Sequence, residues 1–307
     1  MTVLLWGLPT EPPLAAVQSE LARLGVATRL LDQRALATID LELRAGPGLA
    51  GWLRTPEGCL DLASISSVYA RPQDLRRLPG LADLPPESAV TEHARVLERL
   101  VRAWADMTPA LVVNRPAAAT WTASKPDQLR HIRRFGFAVP ETLVTTDPEA
   151  VRVFWERHGS VIYKSVSDVR SRVSRLRRRH AARLADVVHC PTQFQRYVPG
   201  RDHRVHVVDT EVFGCEVASR ADDYRYPGRH AVHIRACRLP REVQDRCRAL
   251  AATMRLPVAG IDLRRTPAGQ WYCFEVNPSP AFTYYQEWTG QPIGAAIARL
   301  LAAPPGS

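Results

Sequence analysis

The chain has 307 residues and a formal net charge of +10, with 41 lysines and arginines against 31 acids. Its 46% hydrophobic and 23% charged residues are ordinary globular usage, with no repeat or low-complexity tract, which excludes a fibrous or disordered chain and allows two or three subdomains. The positive excess points to an anionic partner: a nucleotide, an acidic peptide or a nucleic acid.

The first apolar run, VLLWGL, has no basic segment before it and meets PTEPP at once. That argues against a signal peptide or membrane span and for a cytoplasmic location. Leu14 to Leu24 has helical spacing, while TRLLDQ and SVYARP read as strands, the rhythm of a βαβ layer. An amphipathic helix is expected from Ala89 to Met107, and ALVVNRP is a strand closed by proline. Ser124 before Lys125-Pro126 signals a helix running to about Phe135, so Lys125 sits at a helix N-terminus, where amide donors and the dipole favour an anion.

ETLVTT is a strand, DPEAVRVFWERHG a helix capped by Asp147 and stopped by Gly159, and VIYKSV a strand with Lys164 near its exit. The run from Arg170 to His180 holds six arginines, which suits a nucleic-acid patch or a solvated segment that swings over a phosphate. The strand TQFQRYV follows, then the hairpin DHRVHVVDTEVFGCEVAS and the helix PREVQDRCRALAATM. The strands GIDLRR and QWYCFEVN precede a last helix, PIGAAIARLLA. Antiparallel hairpins dominate this final third, so an α+β module is expected to follow the α/β layer.

Of the 41 basic residues only Lys125 and Lys164 are lysines. Arginine is a wide planar fork, whereas lysine turns three donors of a compact ammonium toward a crowded set of oxygens such as a polyphosphate. The alternative is two surface lysines surviving by chance. Cys59, Cys190, Cys215, Cys237, Cys247 and Cys273 form no C-x-x-C pair and read as reduced core thiols. In His203/His206 and His230/His233 a spacing of three on extended chain turns the two rings to opposite faces, against shared metal ligation.

GIDLRRTPAGQWYCFEVNP carries the most information. A hairpin tip at Ala268-Gly269 sets Asp262 directly across from Glu275, with Asn277 two residues on along the same face. Like charges opposite one another destabilise a sheet unless something positive lies between them. Two carboxylates and an amide oxygen suit Mg²⁺ bound through oxygen. A solvated hairpin is the competing account, though the apolar run YCFEVNPSPAF surrounds these residues.

SKPDQL, VIYKS, QFQRYVPGRDHRV and the set ending in FEVNP together resemble the ATP-grasp superfamily, more closely its RimK-like ligases and the maturases of microviridin-type peptides. The resemblance runs from about Asn114 to the C-terminus. It implies an α/β fold with three parts: an N-terminal α/β pre-grasp domain (1–113), a central grasp subdomain with a lid (114–192) and a C-terminal grasp subdomain with the metal site (193–307). Lys125 and Lys164 then hold ATP phosphates, Gln195, Arg196, Tyr197 and Val198 form the hinge strand that meets adenine, and Asp202 faces the ribose. Asp262, Glu275 and Asn277 bind Mg²⁺, with Mn²⁺ an acceptable substitute.

Arg204 is the first candidate to stabilise developing charge, and Arg225 and Arg235 are further candidates that serve equally well as structural ion-pair residues. Two departures stand out. Arg196 replaces a frequent hinge glutamate, and no glycine lies between Gly159 and Gly200, so a lid would rely on Ser165, Ser167, Arg170 or Arg172. The implied reaction joins a peptide or small-molecule carboxylate to an amine through an acyl phosphate. Tyr284, Tyr285 and Trp288 line a substrate entrance or belong to the core. The alternatives are a nucleic-acid-binding protein using the Arg170 to Arg179 run, disfavoured because the run lacks stacking aromatics, and a non-catalytic nucleotide-binding grasp domain. A homodimer is the common outcome for a soluble enzyme.

Overall fold

A computed structural model describes residues 1–46, 48–55, 58–78, 80–121, 125–166, 173–219, 224, 226 and 231–303, with backbone only at 45, 119–121, 125 and 126. β1 (Thr2–Gly7), α1 (Pro12–Arg23) and β2 (Ala27–Asp32) form the expected βαβ unit. A three-stranded antiparallel meander, β3 (Asp40–Ala45), β4 (Leu49–Thr55) and β5 (Gly58–Asp61), follows and was not among the expected elements. β6 (Ile65–Ala70) and β7 (Leu111–Val113) flank α2 (Ala89–Met107) and complete a parallel sheet in the order β2-β1-β6-β7.

That sheet is covered on both faces, as parallel sheets are. Leu4 and Trp6 pack toward α2, whereas Val3 and Leu5 pack toward α1. The Ser88 hydroxyl accepts from Thr91 N–H and so caps α2.

After α3 (Pro116–Trp121) and α4 (Lys125–Arg134) comes an antiparallel sheet in the order β10-β9-β11-β8. Its strands are β8 (Thr142–Thr145), β9 (Val161–Ser165), β10 (Ser174–Arg175) and β11 (Thr192–Arg196). α5 (Pro148–His158) and a 3₁₀ segment, Arg178–His189, close one face through Val151, Val161, Leu184 and Phe194. The arginine run is therefore divided: Arg175 lies in β10, Arg177 precedes the 3₁₀ segment, and Ser167, Arg170 and Arg172 lie outside the described residues. The expected division at 192/193 falls inside β11, whose partners are β8 and β9.

The last sheet has the order β14-β13-β12-β15-β16, all antiparallel. Its strands are β12 (Arg201–Val208), β13 (Glu211–Ser219), β14 (Val232–Cys237), β15 (Val258–Arg265) and β16 (Trp271–Asn277). α6 (Arg241–Thr253) covers Val205, Val207, Ile261 and Leu263. α7 (Thr283–Thr289) flanks the other face, and α8 (Ile293–Leu301) is shared with the parallel sheet: Ile297 and Leu301 join Val3, Leu5, Val208 and Val258 in one core. Buried Arg71 binds Glu11 at 2.6 and 2.7 Å and donates to Pro280 O at 3.2 Å, tying the first sheet to the loop after β16.

All six cysteines are free, but Cys59 and Cys190 are exposed and so are not the core thiols expected, because each sits in a short, half-exposed segment at an element's edge. His203 and His206 do face opposite ways, one against Trp271 and the other against Tyr285. Among the described residues no helix is long and apolar enough to cross a membrane.

Candidate active site

One face of the five-stranded sheet is polar. Alternation along β12 sends Val205 and Val207 to the α6 core, leaving Asp202, Arg204 and His206 on the other side. Register sets Arg204 opposite Asp262, Asp262 opposite Glu275, and His206 and Asn277 on either side of Gly260. The hairpin turn differs from the expected two-residue tip: Arg265 pairs with Trp271, and Thr266 N–H donates to Gln270 O. Its near-tip register is one residue off, and a β-bulge at Phe274 restores it. The extra residue lets Cys273 and Val276 both enter the core while Glu275 and Asn277 keep to the polar side.

Arg204 is buried, and its Nη1 donates to Asp262 Oδ1 at 2.8 Å. Burial opposes its charge, but Asp262 and then Tyr285 and Tyr224 raise its pKa above the ordinary value. Tyr285 packs under the guanidinium at 5.6 Å and shares a 2.9 Å hydrogen bond with the Tyr224 hydroxyl. His206 Nε2 accepts from Arg204 Nε at 3.5 Å. The guanidinium lies over Gly260, where a Cβ would come within 2.0 Å of Nη2.

Glu275 is half-buried, and no described residue pairs with its carboxylate. Asn277 Oδ1 accepts from Ser279 N–H at 2.8 Å and keeps a second lone pair. Among the described residues no three His, Cys, Asp or Glu side chains converge as a metal site. A cation here would rest on Asp262, Glu275 and Asn277, with the balance of its shell from water or phosphate. An all-oxygen set with one carboxylate left without a partner among the described residues fits Mg²⁺.

On the antiparallel four-stranded sheet, Lys164 is buried and stands opposite Gln193, whose buried Oε1 has no partner among the described residues. Gln195 lies on the same face and donates to Thr142 Oγ1 at 3.0 Å. Ser165, at the end of β9, is exposed. The hinge is committed to protein contacts: Arg196 N–H to Glu141 O, Tyr197 N–H to Ser160 O, and Val198 O to Arg264 Nη1. The Arg196 side chain reaches Tyr272 Oη at 2.9 Å. Both carboxylate oxygens of Asp202 are held by Arg264, at 2.7 and 2.8 Å. Arg264 also stacks between Tyr197 and Phe274, and Arg175 caps Tyr197 at 4.0 Å. The two sheets meet through these rings.

One expected residue does not join the cluster, and two others have no described side chain. The Lys125 side chain and Arg225 lie outside the described residues. Arg235 is on the opposite face, because its cross-strand partner Glu216 stands opposite His203, one residue out of phase with Arg204. It binds Glu216 at 3.1 Å, as does Arg201. Conversely, Gly260 and Arg264 went unnoticed, although each lies two residues from Asp262 on its face.

His206 gives a pH signature. Burial, then the Arg204 charge, holds its pKa well below the ordinary 6.5. The unfolded chain binds a proton below 6.5 that the native state refuses, so this contribution to stability is present above 6.5 and is lost as pH falls through it. The cost reaches up to about 1.4 kcal/mol per pH unit. The melting temperature should fall more steeply from about pH 7 to about pH 5 in the wild type than in His206→Gln; parallel curves would contradict the assignment.

An α/β layer leading into two antiparallel sheets, one of them carrying the Arg204, Asp262 and Glu275 row, is the architecture of an ATP-grasp ligase. The chain belongs to the RimK-like ATP-grasp family, whose domain model matches residues 131–301. Macrocyclase MdnC of Microcystis aeruginosa MRC, solved with precursor peptide MdnA, is similar at a TM-score of 0.83 and 21% identity, over 99% of this chain and 100% of that one. A RiPP-associated ATP-grasp ligase of Chryseobacterium gregarium, solved with ADP and a leader and core peptide, is similar at 0.83 and 21%, over 99% and 97%. D-alanyl-alanine synthetase A of Vibrio cholerae is similar at 0.63 and 13%, over 100% and 99%. At such identities the likeness is one of fold. No curated protein matches the sequence.

Proposed function

We propose that this chain is an ADP-forming carboxylate–amine ligase acting on a peptide, with ATP and Mg²⁺ as cofactors. The observation that carries the reading is the row Arg204, Asp262, Glu275 on adjacent strands, the last carboxylate having no partner among the described residues. The substrate carboxylate oxygen bonds to the γ-phosphorus of ATP and ADP leaves. The amine nitrogen then bonds to the acyl carbon, phosphate leaves, and the amine's proton passes to solvent. Such chemistry needs positioning and charge neutralisation more than a protein nucleophile. A bound Mg²⁺ would neutralise charge on the phosphates and polarise them.

In this reading Asp262, Glu275 and Asn277 present oxygens to the cation, Lys164 meets the phosphates from β9, and Lys125 does so from the start of α4. Arg204, fixed by Asp262 and His206, faces the transferring group. Gln195 to Val198 and Asp202 border the nucleoside, and the buried Gln193 Oε1 opposite Lys164, without a partner among the described residues, keeps an acceptor free.

The peptide assignment is supported by a second feature. A groove of about 740 Å³ on the far side of the five-stranded sheet is lined by Arg238, Arg241, Arg248, Arg265 and Trp271, with Glu216, which binds Arg201 and Arg235, as its one acid among the described residues. Arg238, Arg241 and Arg265 have no acidic partner among the described residues. An acidic stretch of peptide suits that charge. A cytoplasmic setting accords with ATP as co-substrate and with six free cysteines.

Lys164→Ala is expected to lower ATP turnover roughly a hundredfold with little change in melting temperature. Phosphate release, measured with a carboxylate peptide and an amine supplied, checks this; wild-type turnover in the variant would sink the reading.

A further inference from the structure

Helix α7 is a short platform fixed from beneath. Phe282, just before it, is buried in the core shared with α8, and Gln286 Oε1 accepts from Gly294 N–H at 2.8 Å. Tyr285 is buried under the Arg204 guanidinium. Helical spacing turns Tyr284, Glu287 and Trp288 to the outer side, where the two rings are 42% and 50% exposed. The Tyr284 ring meets Tyr285 at 5.5 Å and Trp288 at 6.4 Å, each in edge geometry. Aromatic surface therefore runs unbroken from the charge row to solvent. Elsewhere this chain covers its rings with its own arginines: Trp52, Trp6 and Trp271 each carry a guanidinium, at 4.9, 5.7 and 6.0 Å. Among the described residues no guanidinium lies over Tyr284 or Trp288, and the Glu287 carboxylate has no ion-pair or hydrogen-bond partner. Single exposed rings are ordinary. Two in contact beside an uncommitted acid, on a chain of net charge +10, make a local site for a cation.

We propose that Tyr284, Glu287 and Trp288 form a subsite for a lysine or arginine side chain of the peptide substrate, an inference that rests on the peptide-ligase reading. The cation packs against the ring faces, and Glu287 balances its charge. Tyr285 joins the subsite to Arg204, so its occupant lies close to the reacting carboxylate in the peptide. Extended chain advances about 3.3 Å per residue, which places the cationic residue roughly two to four positions from that carboxylate. The arginine groove attracts the opposite charge from the far face of the sheet. A peptide that is acidic in one stretch and basic beside its reacting residue satisfies both.

Fluorine NMR of the full chain labelled with 5-fluorotryptophan tests this, the Trp288 resonance being assigned by its loss in Trp288→Phe. The probes are two blocked peptides, Glu-Ala-Ala-Lys and the same sequence with norleucine in place of lysine. The lysine peptide should move the Trp288 signal saturably, and the norleucine peptide should leave it in place. Glu287→Gln and Tyr284→Leu should each raise the dissociation constant of the lysine peptide about two- to fivefold. A Trp288 signal indifferent to the lysine peptide, or equally responsive to both, overturns the subsite, as does Glu287→Gln binding as tightly as the wild type. Thermal melts establish that each variant is folded. None of the three side chains is assigned to nucleotide or magnesium, so the rise in melting temperature with Mg²⁺ and ADP tests the ligase reading separately.

Discussion

Glu275→Ala is expected to lose magnesium-dependent ATP turnover by roughly a thousandfold or more while folding normally. Its carboxylate binds no described residue, so truncation orphans no buried donor. It also stands directly opposite Asp262, and removing one of two facing like charges relieves a sheet by about 0.2–1 kcal/mol. Stability should therefore hold or rise as activity disappears. Asp262→Ala is expected to lose stability together with activity. It strands the buried Arg204 charge, at a cost of about 3–5 kcal/mol, so lost activity there would be ambiguous. The second readout is ligand-linked melting: Mg²⁺ with ADP should raise the wild-type melting temperature but not that of Glu275→Ala. Turnover retained in Glu275→Ala would remove the cation from this face of the sheet.

Local signals in the sequence located most helices. α2 spans the stretch its periodicity marks, and α5 begins and ends where its caps place it, because Asp147 and Gly159 act within a few residues of themselves. The meander β3 to β5 left no comparable trace: its strands are short and half-exposed, and what holds them is pairing with one another. At the site, the Asp262 and Glu275 pairing was legible for a partly accidental reason. The turn is longer than a two-residue tip and shifts register by one, and the Phe274 bulge shifts it back. A bulge is decided by which side chains the core accepts, here Cys273 and Val276 together, and no periodicity in YCFEVN announces it.

Arg235 shows the limit from the other side. Its charge suggested a role near phosphate, but its face depends on registers across three strands, and those turn it to Glu216. Asp202 and Arg264 lie opposite one another, yet the reading for a ribose contact considered the acid alone. His206 was weighed only as a metal ligand paired with His203. Its actual neighbour is Arg204, two residues away on the same face, which strand alternation already implies.

Gly260→Ala should lower turnover about a hundredfold or more, because a single methyl group competes with Arg204 for the same space. An added Cβ would lie 2.0 Å from Arg204 Nη2, 2.6 Å from Cζ and 2.7 Å from Pro280 Cβ. The obstacle is steric, with no left-handed backbone involved. A flexible surface arginine would swing clear, but this one is buried and bound to Asp262 at 2.8 Å. Either the guanidinium leaves Asp262, or β15 shifts under Asp262 at an overpacking cost of about 1–3 kcal/mol; both disturb the charge row. Gly46→Ala, where nothing lies within 4 Å, is the control and should behave as wild type. The decisive comparison is a double-mutant cycle with Arg204→Met. If Gly260 acts by seating Arg204, adding the methyl to a chain already lacking the guanidinium should cost little further activity. Full additivity, or an unimpaired Gly260→Ala, would mean that the Arg204 position over this glycine is irrelevant to turnover.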